Sequence, residues 1–179
     1  MPSYVAFLRA VNVGGRFVKM AELRAALEAA GFDDVATHIQ SGNVLVRSPR
    51  RSTRAVAEEI SRLLGEWAGF AIPAIVRTPA QLRAVVETVD GIPPLLEPGG
   101  KRYLALADAP VPAAAAAELD AWDRPGERAR VLGSEVLAEL TIAFHETTLT
   151  NARIERITGL TTTWRDLAVV RAIDEKWGA

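Results

Sequence analysis

This sequence predicts an α+β fold made of two tandem copies of one small unit, each with an antiparallel sheet. Three observations carry that prediction. Apolar patterning over residues 3–77 runs strand, helix, strand, strand, helix, strand. Residues 3–9 are apolar on both faces, which suits an interior strand, whereas Pro73 cannot donate to a ladder and puts its strand at a sheet edge. A threonine-led helix start closes each half, at Thr78 and at Thr163, with a Gly/Pro-rich stretch between the halves. The split βαβ, or ferredoxin-like, unit has strand order 4-1-3-2, placing its first strand inside and its fourth at an edge. The expected division is therefore a first ferredoxin-like repeat over 1–90, a linker over 91–100 and a second repeat over 101–179, each βαββαβ plus a helix.

In order, Val5, Phe7 and Arg9 face one side of the first strand and Tyr4, Ala6 and Leu8 the other. Met20, Leu23, Leu27 and Ala30 recur at helical spacing, and Gly31 is the stop. Val35, Thr37 and Ile39 alternate with Ala36, His38 and Gln40 as a half-buried strand; Ser41-Gly42 signals a turn, and 43–47 returns as the second arm of a hairpin. Residues 48–51 form a loop. Val56, Ile60, Leu63 and Trp67 mark a second helix closed by Gly69, and 71–77 is the edge strand. Thr78-Pro79-Ala80-Gln81 has the order of a capping box with proline at the first helical position, leading to Leu82, Val85, Val86 and Val89.

The second half repeats the plan. A strand is expected at 101–107, a helix at 112–122, a turn at 123–126, and two strands at 128–132 and 135–144 joined by Gly133-Ser134. A helix over 149–158 stops at Gly159, a short strand covers 160–163, and the last helix runs 164–177 from a cap at Thr163.

The totals bound the function classes. With 179 residues the chain can bury a real core; a net charge of −1 supplies no global basic field for nucleic acid. The absence of cysteine removes disulfides, thiolate nucleophiles and cysteine zinc sites. No apolar run approaches the ~20 residues that span a bilayer, and no signal-peptide pattern opens the chain, so a cytoplasmic location is expected.

Chemistry concentrates in two stretches, Arg9-Ala10-Val11-Asn12-Val13-Gly14-Gly15 and Gln40-Ser41-Gly42-Asn43. In a split βαβ unit the first and second strands run the same way, so both stretches belong at one end of the sheet, beside the start of a helix with Arg16 and Lys19. Glycines allow positive φ or close backbone approach, and amides offer paired donors and acceptors. The candidate ligand-binding set is Arg9, Asn12, Gly14, Gly15, Lys19, Gln40, Ser41, Gly42 and Asn43, and the expected partner is a small anionic or nucleotide-like ligand. The competing reading of the same residues is that the glycines turn the chain and the asparagines satisfy loop carbonyls.

The motifs at 6–15 (Ala-Phe-Leu-Arg-Ala-Val-Asn-Val-Gly-Gly), Gly31-Phe32, 39–44 (Ile-Gln-Ser-Gly-Asn-Val), 75–78 (Ile-Val-Arg-Thr) and 150–152 (Thr-Asn-Ala) resemble the bacterial domain-of-unknown-function family 1697. The resemblance covers nearly the whole chain and implies a compact α+β protein with no agreed activity. Departures lie at Arg165-Asp166-Leu167-Ala168-Val169, where members carry an Arg-Asn-Trp-Asn-Thr-type run, and at Thr147-Thr148, where members often show Ser-Lys.

Other chemistries are weaker. His38 lacks a partner carboxylate in its strand, and His145-Glu146 lacks the second histidine of a zinc-protease helix, so neither a metal nor a cofactor is implied. Ser41 is not in a Gly-x-Ser-x-Gly elbow, and Gly14-Gly15 is neither a phosphate-binding P-loop nor a dinucleotide fingerprint. Strand 43–47 has no aromatic residue for stacking RNA, which disfavours nucleic acid; Arg47, Arg50, Arg51 and Arg54 form a local basic run suited to a solvated loop. Two alternatives from other classes remain: an interaction module, monomeric or homodimeric, that buries the second apolar face of the first sheet, and a hydrolase or transferase using Ser41, Arg9 and His38.

Overall fold

In the computed structural model of the chain, which describes residues 1–178, the two-sided apolar run at the N-terminus forms β1 (Ser3–Leu8). It is followed by α1 (Met20–Ala29), β2 (Asp33–His38), β3 (Asn43–Arg47), α2 (Thr53–Ala68), β4 (Ala74–Arg77) and α3 (Pro79–Asp90). The second half contributes β5 (Lys101–Ala107), α4 (Ala113–Asp120), β6 (Asp123–Arg124), β7 (Glu127–Leu132) and β8 (Glu135–Leu140). A 3-10 turn (Phe144–Glu146), α5 (Asn151–Thr158), β9 (Thr162–Asp166) and α6 (Leu167–Trp177) complete it. The architecture is α+β with two antiparallel sheets and six helices, and the chain divides into two units: Met1–Leu82 with the segment from Ile173, and Arg83–Ala172. Among the described residues no helix is long and apolar enough to cross a membrane.

In the first unit the sheet order is β2-β3-β1-β4, with every pairing antiparallel. β1 is interior and β4 is at an edge, as the residues predict; Pro73 stands just before β4, and its carbonyl accepts from the Arg9 N–H at 2.8 Å. Tyr4, Ala6 and Leu8 of β1 join Val44 and Val46 of β3 in one core with Leu23 and Leu27 of α1 and Val56, Ile60 and Leu64 of α2. Full burial of each large aliphatic side chain contributes ~1.5–3 kcal/mol.

Two local details differ from expectation, and a third agrees with it. The buried stripe of α2 is Val56, Ile60 and Leu64, so Leu63 is only partly covered and Trp67 is 41% exposed. A strict four-residue step across this long helix rotates the stripe away from Trp67. β2 ends at His38, so the hairpin tip comprises residues 39–42 rather than Ser41-Gly42 alone. Gly31 stops α1 as predicted: it lies at φ 92°, its N–H donates to the Glu28 carbonyl, and Phe32 donates to Leu27, the two bonds of a Schellman motif.

In the second unit the order is β6-β7-β8-β5-β9. β6 is a two-residue strand where a turn is expected; Asp123 and Arg124 pair with Arg128 and Glu127 on either side of Gly126, whose φ is 74°. The β7–β8 hairpin turns on Gly133-Ser134 as predicted.

The largest correction concerns the end of the chain. Thr163 does not cap a helix but lies inside β9, paired with Leu106, and the helix begins at Leu167. β-Branched Thr162 and Thr163 with Trp164 favour a pleated strand, and β5 offers an edge to pair with. The cap falls to Asp166, whose Oδ1 accepts from the Ala168 N–H at 2.9 Å.

The Gly/Pro-rich stretch before β5 is tied down rather than free. The fully buried Glu139 carboxylate accepts from the N–H groups of Leu95, Leu96 and Gly100 at 3.1, 3.1 and 3.0 Å and from Arg102 Nε at 2.8 Å. Arg102 also donates to the carbonyls of Ile92 and Pro93. Burial raises the Glu139 pKa, but these donors outweigh it and the net shift is downward. Glu127 is held in the same way: burial opposes ionisation, while donors from Trp122, Thr148 and Thr147 bring its pKa below the ordinary value. Thr147 and Thr148 thus have a structural use, clasping a buried carboxylate. On β9, burial pushes Arg165 down to about 10.

Candidate functional site

The two chemistry-bearing stretches meet. β1 ends beside the hairpin tip, where the Leu8 N–H donates to the Gly42 carbonyl at 2.8 Å. Asn12 fastens the following loop to the same tip. Its Nδ2 donates to the Gln40 carbonyl at 2.5 Å, while its Oδ1 accepts from the Val18 N–H at 2.8 Å. One side chain therefore holds both ends of the loop.

Between them, Gly14 and Gly15 at φ 61° and 82° form the two central residues of a tight turn of the primed kind, bridged by Val13 and Arg16. A Cβ at either glycine would meet nothing within 4 Å, so their conformation, not space, calls for glycine. Gly42 is the opposite case. Besides its φ of 76°, a Cβ there would lie 2.9 Å from Leu8 Cβ. The strand packs directly on it.

Asn43 is fully buried, and its Nδ2 donates to the His38 carbonyl at 3.1 Å and to Ser41 Oγ at 2.9 Å, closing the base of the hairpin. Asn12 and Asn43 thus do the carbonyl-satisfying work that sequence reasoning held as the competing reading. Arg9 is partly buried at the end of β1.

The loops also collect strain. Of the non-glycine residues at positive φ among the described residues, Ala10, Asn12 and Ile39 lie here, and Asp34 marks the β2 bulge. A β-branched residue at φ 52°, as Ile39 is, costs ~1–3 kcal/mol and persists only where its surroundings impose it.

Beside the latch an open cleft of about 590 Å³ lies over the start of α1, lined by Asn12, Phe17, Lys19, Met20, Arg24 and Gln40 among others. Asn12, Lys19 and Gln40 come from the sequence-derived set; Arg9, Gly14, Gly15, Ser41, Gly42 and Asn43 are not among its lining residues. Lys19 pairs with Glu22 at 3.2 Å in an exposed bridge, and Arg24 Nη1 donates to Thr37 Oγ1 at 2.6 Å. Both cations are oriented without being buried. Lys19, at the helix N-cap, makes no side-chain cap bond.

Phe17 was not among the residues singled out. It is 83% exposed, the next residue, Val18, is buried, and Val13 and Ile39 are exposed at the same end. The signal available was an aromatic directly after a glycine turn, but two adjacent apolar residues do not reveal which one faces inward.

The remaining candidates show ordinary uses. His38 stands edge-on to Trp177 with ring centroids 6.2 Å apart. Three arginines of the basic run pair with acids: Arg47 with Asp34 at 3.1 Å, Arg54 with Glu58 at 2.8 Å, and Arg50 with Glu59. Exposed pairs of this kind add little stability. Among the described residues no group of three or more His, Asp or Glu side chains could hold a metal ion.

The fold and this latched sheet end define a two-sheet α+β protein whose first motif is a loop fastened to a hairpin tip. The chain belongs to the family described as protein of unknown function (DUF1697), whose sequence model matches residues 1–137. No curated protein matches it. Among solved structures it is similar to the conserved bacterial protein SP0830 from Streptococcus pneumoniae, at 17% identity and a TM-score of 0.74, over 100% of this chain and 99% of that one. At that identity the likeness concerns the fold alone.

Proposed function

We propose that the first unit is a binding module for a small anionic ligand, seated at the β1 end of its sheet. The observation that carries this reading is the convergence of Phe17, Lys19, Arg24 and Gln40 on one open cleft beside a strained, latched pair of loops. A cleft of this volume accommodates a small organic molecule, and two surface cations with the exposed Gln40 amide supply charge and orientation. The roles within the sequence-derived set then divide. Asn12, Gly14, Gly15, Gly42 and Asn43 build the platform; Lys19 and Gln40 contact the ligand, and Arg24 joins them.

Thermal-shift measurements on the full chain with inorganic phosphate, phosphate esters and nucleotides test the proposal. A ligand-dependent rise in Tm that disappears in a Lys19→Ala, Arg24→Ala double variant is expected. No shift with any member of the panel sinks the binding reading and leaves the interaction-module alternative.

We also infer that residues 1–90 and 101–179 are tandem ferredoxin-like repeats. In support, β2-β3-β1-β4 and, with β6 set aside, β7-β8-β5-β9 occupy equivalent places in the same βαββαβα order.

A further inference from the structure

The cleft beside Asn12 is poorly built for a bare anion. Its cations do not form a closed cradle: the Lys19 ammonium leans on Glu22, and Arg24 already donates to Thr37. Apolar groups make up much of the rest of the lining, the exposed Phe17 ring foremost. A phosphate ion would occupy a small part of about 590 Å³ and leave those surfaces facing water. Most telling is Phe17. It is 83% exposed, next to a buried Val18 and two residues past a turn whose glycines sit at positive φ. An exposed apolar ring lining a cleft gains by covering its face, and a flat heteroaromatic group covers it best. The Gln40 side chain, exposed at the hairpin tip, offers a donor and an acceptor to the edge of such a ring.

Building on the binding reading above, we propose that the ligand is a heteroaromatic phosphate of the nucleoside-monophosphate class. Phe17 is its stacking platform, Gln40 meets the edge of the base, and Lys19 with Arg24 takes the phosphate. Phe17 is therefore the residue that sets specificity, and it acts on binding alone; no bond is made or broken.

Calorimetric titration of the full chain with AMP, UMP, ribose 5-phosphate and inorganic phosphate tests this. Expected is binding of AMP at least tenfold tighter than ribose 5-phosphate, with UMP between them because a smaller ring stacks less. Phe17→Leu should erase that preference without changing the Tm of the ligand-free protein, while Lys19→Ala weakens every phosphate compound by a similar factor. Ribose 5-phosphate or inorganic phosphate binding as tightly as AMP, or AMP affinity unchanged in Phe17→Leu, overturns the heteroaromatic assignment and leaves the anion reading standing. Failure of all four compounds to bind overturns both.

Discussion

The Asn12 side chain donates to the Gln40 carbonyl at 2.5 Å while accepting from Val18, so a single amide joins residues 28 apart and fastens the loop from Asn12 to Val18 to the hairpin tip. The geometry of the candidate cleft depends on that joint, because Asn12 and Gln40 both line it.

Replacing Asn12 separates its two contributions. Asn12→Gly keeps a backbone at ease with φ 58° but deletes both side-chain bonds, an expected loss of ~1–3 kcal/mol. Asn12→Ala also forces an L-residue into the left-handed region for ~1–2 kcal/mol more. Urea unfolding should rank wild type above Gly and Gly above Ala; an alanine variant as stable as the glycine one contradicts the ranking.

Two glycines in the same motifs should respond differently. Gly14→Ala meets open space and costs only its φ, ~1–2 kcal/mol. Gly42→Ala adds a clash with Leu8 Cβ and the overpacking that follows, a further ~1–3 kcal/mol. Equal denaturation midpoints for the two variants would show that the strand does not press on the hairpin tip.

Glu139 is expected to dominate the second unit's response to acid. Its folded pKa lies below the unfolded value, so its contribution is fully present above the unfolded pKa and is lost as pH falls through the folded one. Glu127 shifts the same way. Stability measured from pH 7 downward should hold and then fall below the ordinary carboxylate range, and Glu139→Gln should flatten that fall. Glu139→Ala, which strands Arg102 and the N–H groups of Leu95, Leu96 and Gly100, should cost ~3–5 kcal/mol at neutral pH. A loss below 1 kcal/mol would mean water replaces the carboxylate easily.

Much of this was legible from residues alone, and the failures have causes. The box at Thr78 formed as written: Gln81 N–H donates to Thr78 Oγ1 and Thr78 N–H to Gln81 Oε1. The look-alike at Thr163 failed because capping order and a β-branched strand share the same residues, and pairing with β5 decided between them. Residues 91–100 read as a linker because their anchor, Glu139, lies some forty positions away, beyond the reach of local pattern. At the candidate site, chain direction in a split βαβ unit brought the two loops together on paper. Which of their residues would be spent on holding each other depended on hydrogen bonds that no periodicity encodes. Asn43 is the clearest example, buried at the hairpin base where composition allowed an exposed ligand contact.

The most direct test is amide NMR of the full chain titrated with AMP. Saturable shifts at Phe17, Lys19, Ala21 and Gln40, lost in Asn12→Gly although its fold persists, are the predicted result. Shifts centred elsewhere, or a spectrum untouched at millimolar AMP, would contradict it.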